Sequence, residues 1–182
     1  MKKLSSIILK LMGWRIEGSM PKIDKYVAIS APHTSNMDFL LGALYYLSIG
    51  VKAHFLIKKE LFFFPLGIIL RTLGGIPVDR KNSKNIVEDM VNLYNNRKKF
   101  YLIITPEGTR KKTASWKRGF YYIAREANVP VVKSYFDYKK KLIAIFPPYY
   151  VGDEVNEEMK KIKIFFKDVT PKHPDKFTVG NI

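Results

Sequence analysis

Apolar and polar positions along this chain alternate between two kinds of pattern. Residues 26–30 (YVAIS) and 53–57 (AHFLI) read as short strands, and 100–104 (FYLII) is a continuous apolar run, as expected of a strand in a sheet covered on both sides. Further strands are predicted at residues 130–136, 142–146 and 162–169, with a short or edge segment at 76–80 after the Gly74-Gly75 break. Helical spacing fills the gaps. Ser35 reads as an N-cap with Asp38 three residues on, the spacing of a capping box, and the helix it opens runs to about Ser48, before Gly50. Ser83 caps a second helix reaching about Lys98, with Ile86, Val87, Met90, Val91 and Tyr94 on its inner face, and a third covers about 117–127. Strands alternating with helices predict an α/β fold with a mixed, largely parallel sheet flanked by helices. No repeat, low-complexity tract or linker divides the chain, so residues 1–182 read as one domain with an irregular tail after Pro171.

The first fourteen residues add a different element. Leu4, Ile7, Ile8 and Leu11 repeat at helical spacing among Lys2, Lys3 and Lys10, which predicts an amphipathic helix suited to a membrane surface. A secretory signal needs a longer apolar centre and a small-residue cleavage site, and neither is clear. The longest uncharged apolar-biased run, residues 39–51, is short of the roughly 20 residues a membrane-spanning helix needs. No transmembrane helix is therefore predicted. Lys and Arg number 32 against 16 Asp and Glu, a net charge of +16, which calls for a polyanionic partner: nucleic acid, an anionic lipid surface or a phosphate-bearing ligand. The absence of cysteine excludes disulfides, cysteine-ligated metal and a cysteine nucleophile.

Two polar islands follow apolar strands. Ala31-Pro32-His33-Thr34-Ser35-Asn36-Met37-Asp38 places a histidine and an aspartate five positions apart, and Thr105-Pro106-Glu107-Gly108-Thr109-Arg110 follows the run 100–104. A carboxylate on one imidazole nitrogen fixes the tautomer and leaves the other nitrogen to take a proton. With no protein thiol, such a pair suits activation of a hydroxyl belonging to the substrate. The bland alternative is that Asp38 only caps a helix, and the two readings are evenly matched on these residues alone. Glu107 is either part of a solvated turn or an acceptor for a substrate hydroxyl, with Arg110 nearby for an anion. Gly74 and Gly75 either permit a turn or let backbone approach a ligand, with Arg80 offering a bidentate fork to phosphate. Phe62, Phe63 and Phe64 read as core or membrane-facing contacts. Ligands of such sheets collect at the carboxyl ends of strands, where both islands fall.

Taken in order, these segments resemble the glycerolipid acyltransferases typified by lysophosphatidic acid acyltransferase. The family's histidine–aspartate block matches His33 and Asp38, and its glycine-led segment ending in arginine matches Gly75-Ile76-Pro77-Val78-Asp79-Arg80. Its Pro-Glu-Gly-Thr-Arg block matches Pro106 to Arg110, and its hydrophobic-Pro-hydrophobic step matches Val129-Pro130-Val131. The resemblance covers roughly residues 26–132, with Pro77 where a bulkier apolar residue is common and Thr105 where an aromatic often stands. It implies the glycerol-3-phosphate acyltransferase-like fold. It also implies transfer of a fatty acyl group from acyl-CoA or acyl-carrier-protein to the hydroxyl of a lysophospholipid such as 1-acyl-glycerol-3-phosphate, with no metal, cofactor or covalent acyl-enzyme. By the same resemblance His33 is the general base, Asp38 orients it, Arg80 binds the acceptor phosphate, Glu107, Gly108 and Thr109 position the acceptor, and Arg110 is a further anion contact.

The resulting expectation is a peripheral enzyme on the cytoplasmic face of an anionic membrane. An acyltransferase for an aminolipid or lipid alcohol keeps the same pair with another acceptor. A basic nucleic-acid-binding module accounts for the charge alone, but Lys and Arg are spread without a binding motif, so no nucleic-acid partner is expected. A non-catalytic lipid-binding protein needs no general base.

Overall fold

The computed structural model describes residues 2–79 and 83–180. Among them seven strands form one sheet: β1 (Arg15–Glu17), β2 (Lys25–Ser30), β3 (Ala53–Lys58), β4 (Gly75–Val78), β5 (Phe100–Ile104), β6 (Val131–Asp137) and β7 (Leu142–Ile145), in the spatial order β1-β7-β6-β2-β5-β3-β4. Every neighbouring pair is parallel except β6 and β7, joined by a tight antiparallel connection. Tyr26, Val27, Ala28 and Ile29 of central β2 are all essentially inaccessible to water. That explains why the strand reads as an unbroken apolar run rather than an alternation.

Each sheet face carries its own core. Helices α1 (Lys2–Leu11) and α2 (Asn36–Ile49) cover one face, where Leu9, Leu41 and Tyr45 meet Tyr26, Ala28, Ile103 and Phe136. Helices α4 (Ser83–Asn96), α5 (Gly119–Glu126) and α6 (Val155–Phe166) cover the other, where Met90, Phe120 and Phe166 pack with Val27, Ile29 and Leu102. Helix α3 (Leu66–Thr72) lies in the β3–β4 crossover after a short 3-10 turn. The expected capping box opens α2: the Ser35 hydroxyl accepts from Met37 N–H, and the Asp38 carboxylate accepts from Ser35 N–H at 2.9 Å. Gly50 closes the helix in the left-handed conformation.

Three features differ from the sequence reading. The strand expected at 162–169 is the C-terminal half of α6. Its run Ile162-Lys163-Ile164-Phe165-Phe166 alternates too briefly to set a strand, whereas Met159, Ile162 and Phe166 recur at helical spacing and are buried together. Ile164, which would share a strand face with Ile162 and Phe166, is 43% exposed. Strand β1 went unread because its three residues are exposed and polar-flanked, and pairing to β7 alone defines it. Helix α1 buries Ser5 and Leu9 and leaves Leu4, Ile7 and Leu11 in solvent, so the apolar residues occupy two faces, not one.

Gly74 settles the question of the glycine pair locally. Its φ is +89°, and a Cβ there would lie 2.0 Å from the Ala53 carbonyl oxygen, so the residue serves close approach of β3 rather than of a ligand. The helical assignment of α6 has a simple check. Phe166→Ala should cost about 3–5 kcal/mol of unfolding free energy in urea denaturation, and Ile164→Ala less than about 0.5 kcal/mol. Equal losses would point to the two side chains sharing one buried face.

Candidate active site at the carboxyl edge of the sheet

Parallel pairing decides what meets at the site. Strands β6, β2 and β5 are adjacent and run the same way, with Ser30 opposite Ser134 and Ile29 opposite Ile104. The residues that follow them therefore emerge side by side: Tyr138 after β6, His33 after β2, Glu107 after β5. Lys58 ends β3 at the same edge, and Asp79 follows β4 there.

His33 and Asp38 are in contact, Nδ1 to Oδ2, at 3.1 Å. The same oxygen accepts the N–H groups of Thr34 and Ser35 at 2.9 Å each, and Oδ1 accepts the Tyr138 hydroxyl at 2.6 Å. Burial pushes the Asp38 pKa upward and is the largest single influence. The bonds from His33, Tyr138 and Ser35 together outweigh it and leave the carboxyl below its ordinary value. An ionised carboxylate only accepts, so Nδ1 carries the imidazole hydrogen and Nε2 is the basic nitrogen.

Glu107 sits on the other side of the histidine in a different state. Its Oε1 accepts the backbone N–H of His33 at 2.8 Å, while Oε2 is buried without a hydrogen-bond partner. Burial raises its pKa to about 7, with the nearby Asp38 charge adding to the rise and the His33 N–H opposing it. Two carboxyl groups thus flank one histidine, one held ionised and the other poised to take up a proton near neutral pH. The turn that presents Glu107 is closed by Gly108 N–H to the Thr105 carbonyl at 3.0 Å, with Gly108 at φ +64° and the Lys117 stem against it.

A cleft of about 1350 Å³ opens at this edge. His33, Asp38, Gly108, Thr109 and Arg110 line it, together with Lys58, Lys117 and Arg118. Apolar and aromatic side chains line it as well, Phe39, Tyr45, Phe55 and Ile103 among them. The site residues expected from sequence thus converge on one place, except Arg80, which lies outside the described residues. Among the described residues no group of three or more His, Cys, Asp or Glu side chains is arranged to hold a metal ion. Sequence reasoning missed Tyr138 and left Lys58 and Lys117 without a role. Lys58 and Tyr138 shared one usable signal, a position at the carboxyl end of a predicted strand.

The family model described as Acyltransferase matches residues 15–136, more than half of the chain. The chain belongs to that family. Among curated members it is 36% identical over 81 residues to 1-acyl-sn-glycerol-3-phosphate acyltransferase of Cocos nucifera, covering 41% of this chain and 26% of that protein. To the human 1-acyl-sn-glycerol-3-phosphate acyltransferase beta it is 32% identical over 97 residues, 46% of this chain and 35% of the relative. The matched regions thus span only about a quarter to a third of these family members. The crystal structure of the 1-acyl-sn-glycerophosphate (LPA) acyltransferase PlsC from Thermotoga maritima superposes with a TM-score of 0.60 at 21% identity, over 88% of this chain and 72% of that one. The shared fold is therefore that of a family member, and both expected polar blocks lie inside the matched region.

The opposite states of the two carboxyl groups give a measurable signature. Glu107 has a folded-state pKa raised from 4.5 to about 7, so the folded chain keeps a proton that the unfolded chain releases. Stability should fall as pH rises through that window, by on the order of 3 kcal/mol in full. Glu107→Gln should abolish this slope in urea denaturation between about pH 5 and 8, whatever constant offset the buried amide adds. A slope that survives in the variant would assign it to another group. Asp38, depressed on folding, contributes with the reverse sign, its stabilisation being lost only at acid pH below its ordinary 3.8.

Proposed function

We propose that this protein transfers a fatty acyl group from a thioester donor, acyl-CoA or acyl-carrier-protein, to the free hydroxyl of a lysophospholipid of the 1-acyl-glycerol-3-phosphate type. The observation that carries this reading is the His33 Nδ1–Asp38 contact in a cleft that joins cationic side chains to apolar walls. Nε2 of His33 takes the proton of the acceptor hydroxyl as its oxygen attacks the thioester carbonyl. The tetrahedral intermediate collapses with cleavage of the carbon–sulfur bond, and the proton passes from His33 to the departing thiolate. A new ester and a free thiol result. Asp38 orients the imidazole and balances its positive charge while it holds the proton.

Arg80 and Arg110 hold the acceptor phosphate, and Gly108 and Thr109 shape the wall against which the acceptor lies. Glu107 supports that position through the His33 backbone that it fixes. The acceptor's phosphate favours this reading over an aminolipid or lipid alcohol, because Lys58, Arg110, Lys117 and Arg118 line the same cleft. No metal or cofactor enters the scheme.

Attachment to the cytoplasmic face of an anionic membrane follows the same chemistry, since both product and acceptor are lipids. Exposed Leu4, Ile7 and Leu11 stand on α1 among Lys2, Lys3 and Lys10, and Phe63, Phe64, Ile68 and Ile69 are exposed around α3. Among the described residues no helix is long and apolar enough to cross a membrane. Basic residues near an anionic surface contribute about 1 kcal/mol each.

Mass spectrometry of products from purified protein given mixed lysolipids and either donor tests the reaction. His33→Ala should lower transfer by at least about a thousandfold with an unchanged melting profile; turnover near wild type would defeat the mechanism. Arg80→Ala should raise the acceptor KM and leave the donor KM alone. For the surface, the triple change Leu4, Ile7 and Leu11 to Ser should reduce sedimentation with anionic vesicles while leaving transfer to a soluble short-chain acceptor within about twofold. Equal loss in both assays would make the stripe structural.

A further inference from the structure

Tyr138 is the first residue past β6 and falls beyond the residues that the family model matches. Its hydroxyl makes the shortest of the contacts to the Asp38 carboxylate, 2.6 Å to Oδ1, against 2.9 to 3.1 Å for the three donors on Oδ2. A carboxylate offers about four lone-pair positions, and the two oxygens divide the work. Two backbone amides and the imidazole hold Oδ2, and Tyr138 holds Oδ1. The Asp38 side chain is 4% exposed, so water has little access to that oxygen.

We propose that Tyr138 is a positioning residue for acyl transfer, fixing the second oxygen of Asp38 so that the first stays on Nδ1 of His33 while the imidazole gains and returns its proton. This rests on His33 being the base of the proposed reaction. The tyrosine is itself held from two further sides. Its backbone N–H donates to the Thr170 carbonyl at 2.8 Å, and Trp14 meets its ring edge-on at 5.1 Å. Burial and the Asp38 carboxylate both push the phenol well above the ordinary tyrosine range, so it stays a donor and never competes as a base.

The groups around His33 make the direction of the effect readable. Asp38 faces it from α2 and Glu107 from the β5 loop, Lys58, Arg110 and Lys117 line the shared cleft, and His173 reaches Thr34 Oγ1 through its backbone N–H. Of these, Asp38 is the one bonded to Tyr138. Removing the hydroxyl leaves Oδ1 a buried acceptor without a donor and concentrates negative charge on Oδ2. The imidazolium is then held more tightly, and His33 sheds its proton at higher pH.

The test uses the full chain with a lysophosphatidate acceptor and an acyl thioester over roughly pH 5 to 9. Tyr138→Phe keeps the ring against Trp14 and removes the donor. The expected result is about a tenfold lower kcat, the scale of one charge-assisted hydrogen bond expressed in the barrier. Both KM values should stay within about twofold, and the acid limb of the kcat profile should move to higher pH. In a His33→Ala background the same change should alter the residual rate by less than about twofold.

Replacing Tyr138 by 3-fluorotyrosine strengthens the donor without changing the fold, and should move the acid limb to lower pH. A well-folded Tyr138→Phe protein with wild-type kcat and acid limb would overturn the proposal. So would a loss carried by KM, a full loss repeated in the His33→Ala background, or a fluorotyrosine protein with an unmoved limb. The protonation of His33 followed by NMR should shift in the same senses and needs no substrate. An active His33→Ala protein removes the base assignment; an inert one beside a wild-type-like Tyr138→Phe removes the Tyr138 assignment alone.

Discussion

Asp38 is a charge with almost no access to water, and the layout of the sheet's carboxyl edge follows from what keeps it ionised. A buried carboxylate without partners would take up a proton. Here Thr34 and Ser35, the two residues leading into α2, supply amide donors, but those amides reach only one of its oxygens. Histidine completes the first oxygen and tyrosine the second. The four donors come from the segment between β2 and α2 and from the residue after β6. This convergence depends on β6 and β2 being parallel neighbours in register, because an antiparallel β6 would deliver Tyr138 to the opposite edge of the sheet.

The same burial acts oppositely on Glu107, and the contrast is one of donor supply. Both carboxyl groups are about 5% exposed. Asp38 has four donors and stays charged; Glu107 has one donor on one oxygen and none on the other, so its charged form is penalised. Near neutral pH Glu107 therefore takes up a proton that Asp38 does not, and the two carboxyl groups around His33 titrate far apart.

Much of this was legible in the chain because it is encoded locally. Ser35 and Asp38 announce a helix start by their spacing, and that spacing also fixes the acid beside the turn that carries His33. The run at 100–104 is apolar throughout because its strand lies inside the sheet, the run at 53–57 is apolar apart from His54, and both strands ended close to where the pattern placed them. What was not legible was encoded by pairing between distant segments. Strand β1 exists only against β7, and Tyr138 meets Asp38 across 100 residues with no motif around it. Residues 162–166 misled because five residues fit a period of two as well as they fit a helix. The register extending back to Met159 decides between them, and the covering aromatic Trp116 comes from a loop over forty residues earlier.

The N-terminal segment shows why composition alone misplaces a boundary between core and surface. Its apolar residues suggest one lipid-facing stripe, yet Leu9 is as deeply buried as the central strand. Beyond the helix, Trp14 stacks edge-on against both Phe136 and Tyr138, with the Lys141 ammonium over its face. Residues 2–14 therefore do two separable things. Leu4, Ile7 and Leu11 present an exposed apolar surface, while Leu9 and Trp14 complete the core on the face of the sheet that holds α2. Removing the whole segment would strip the ring that backs Tyr138 along with the exposed stripe. The exposed apolar surface and the support of the histidine–aspartate pair can be separated only by substitutions confined to one face of the helix.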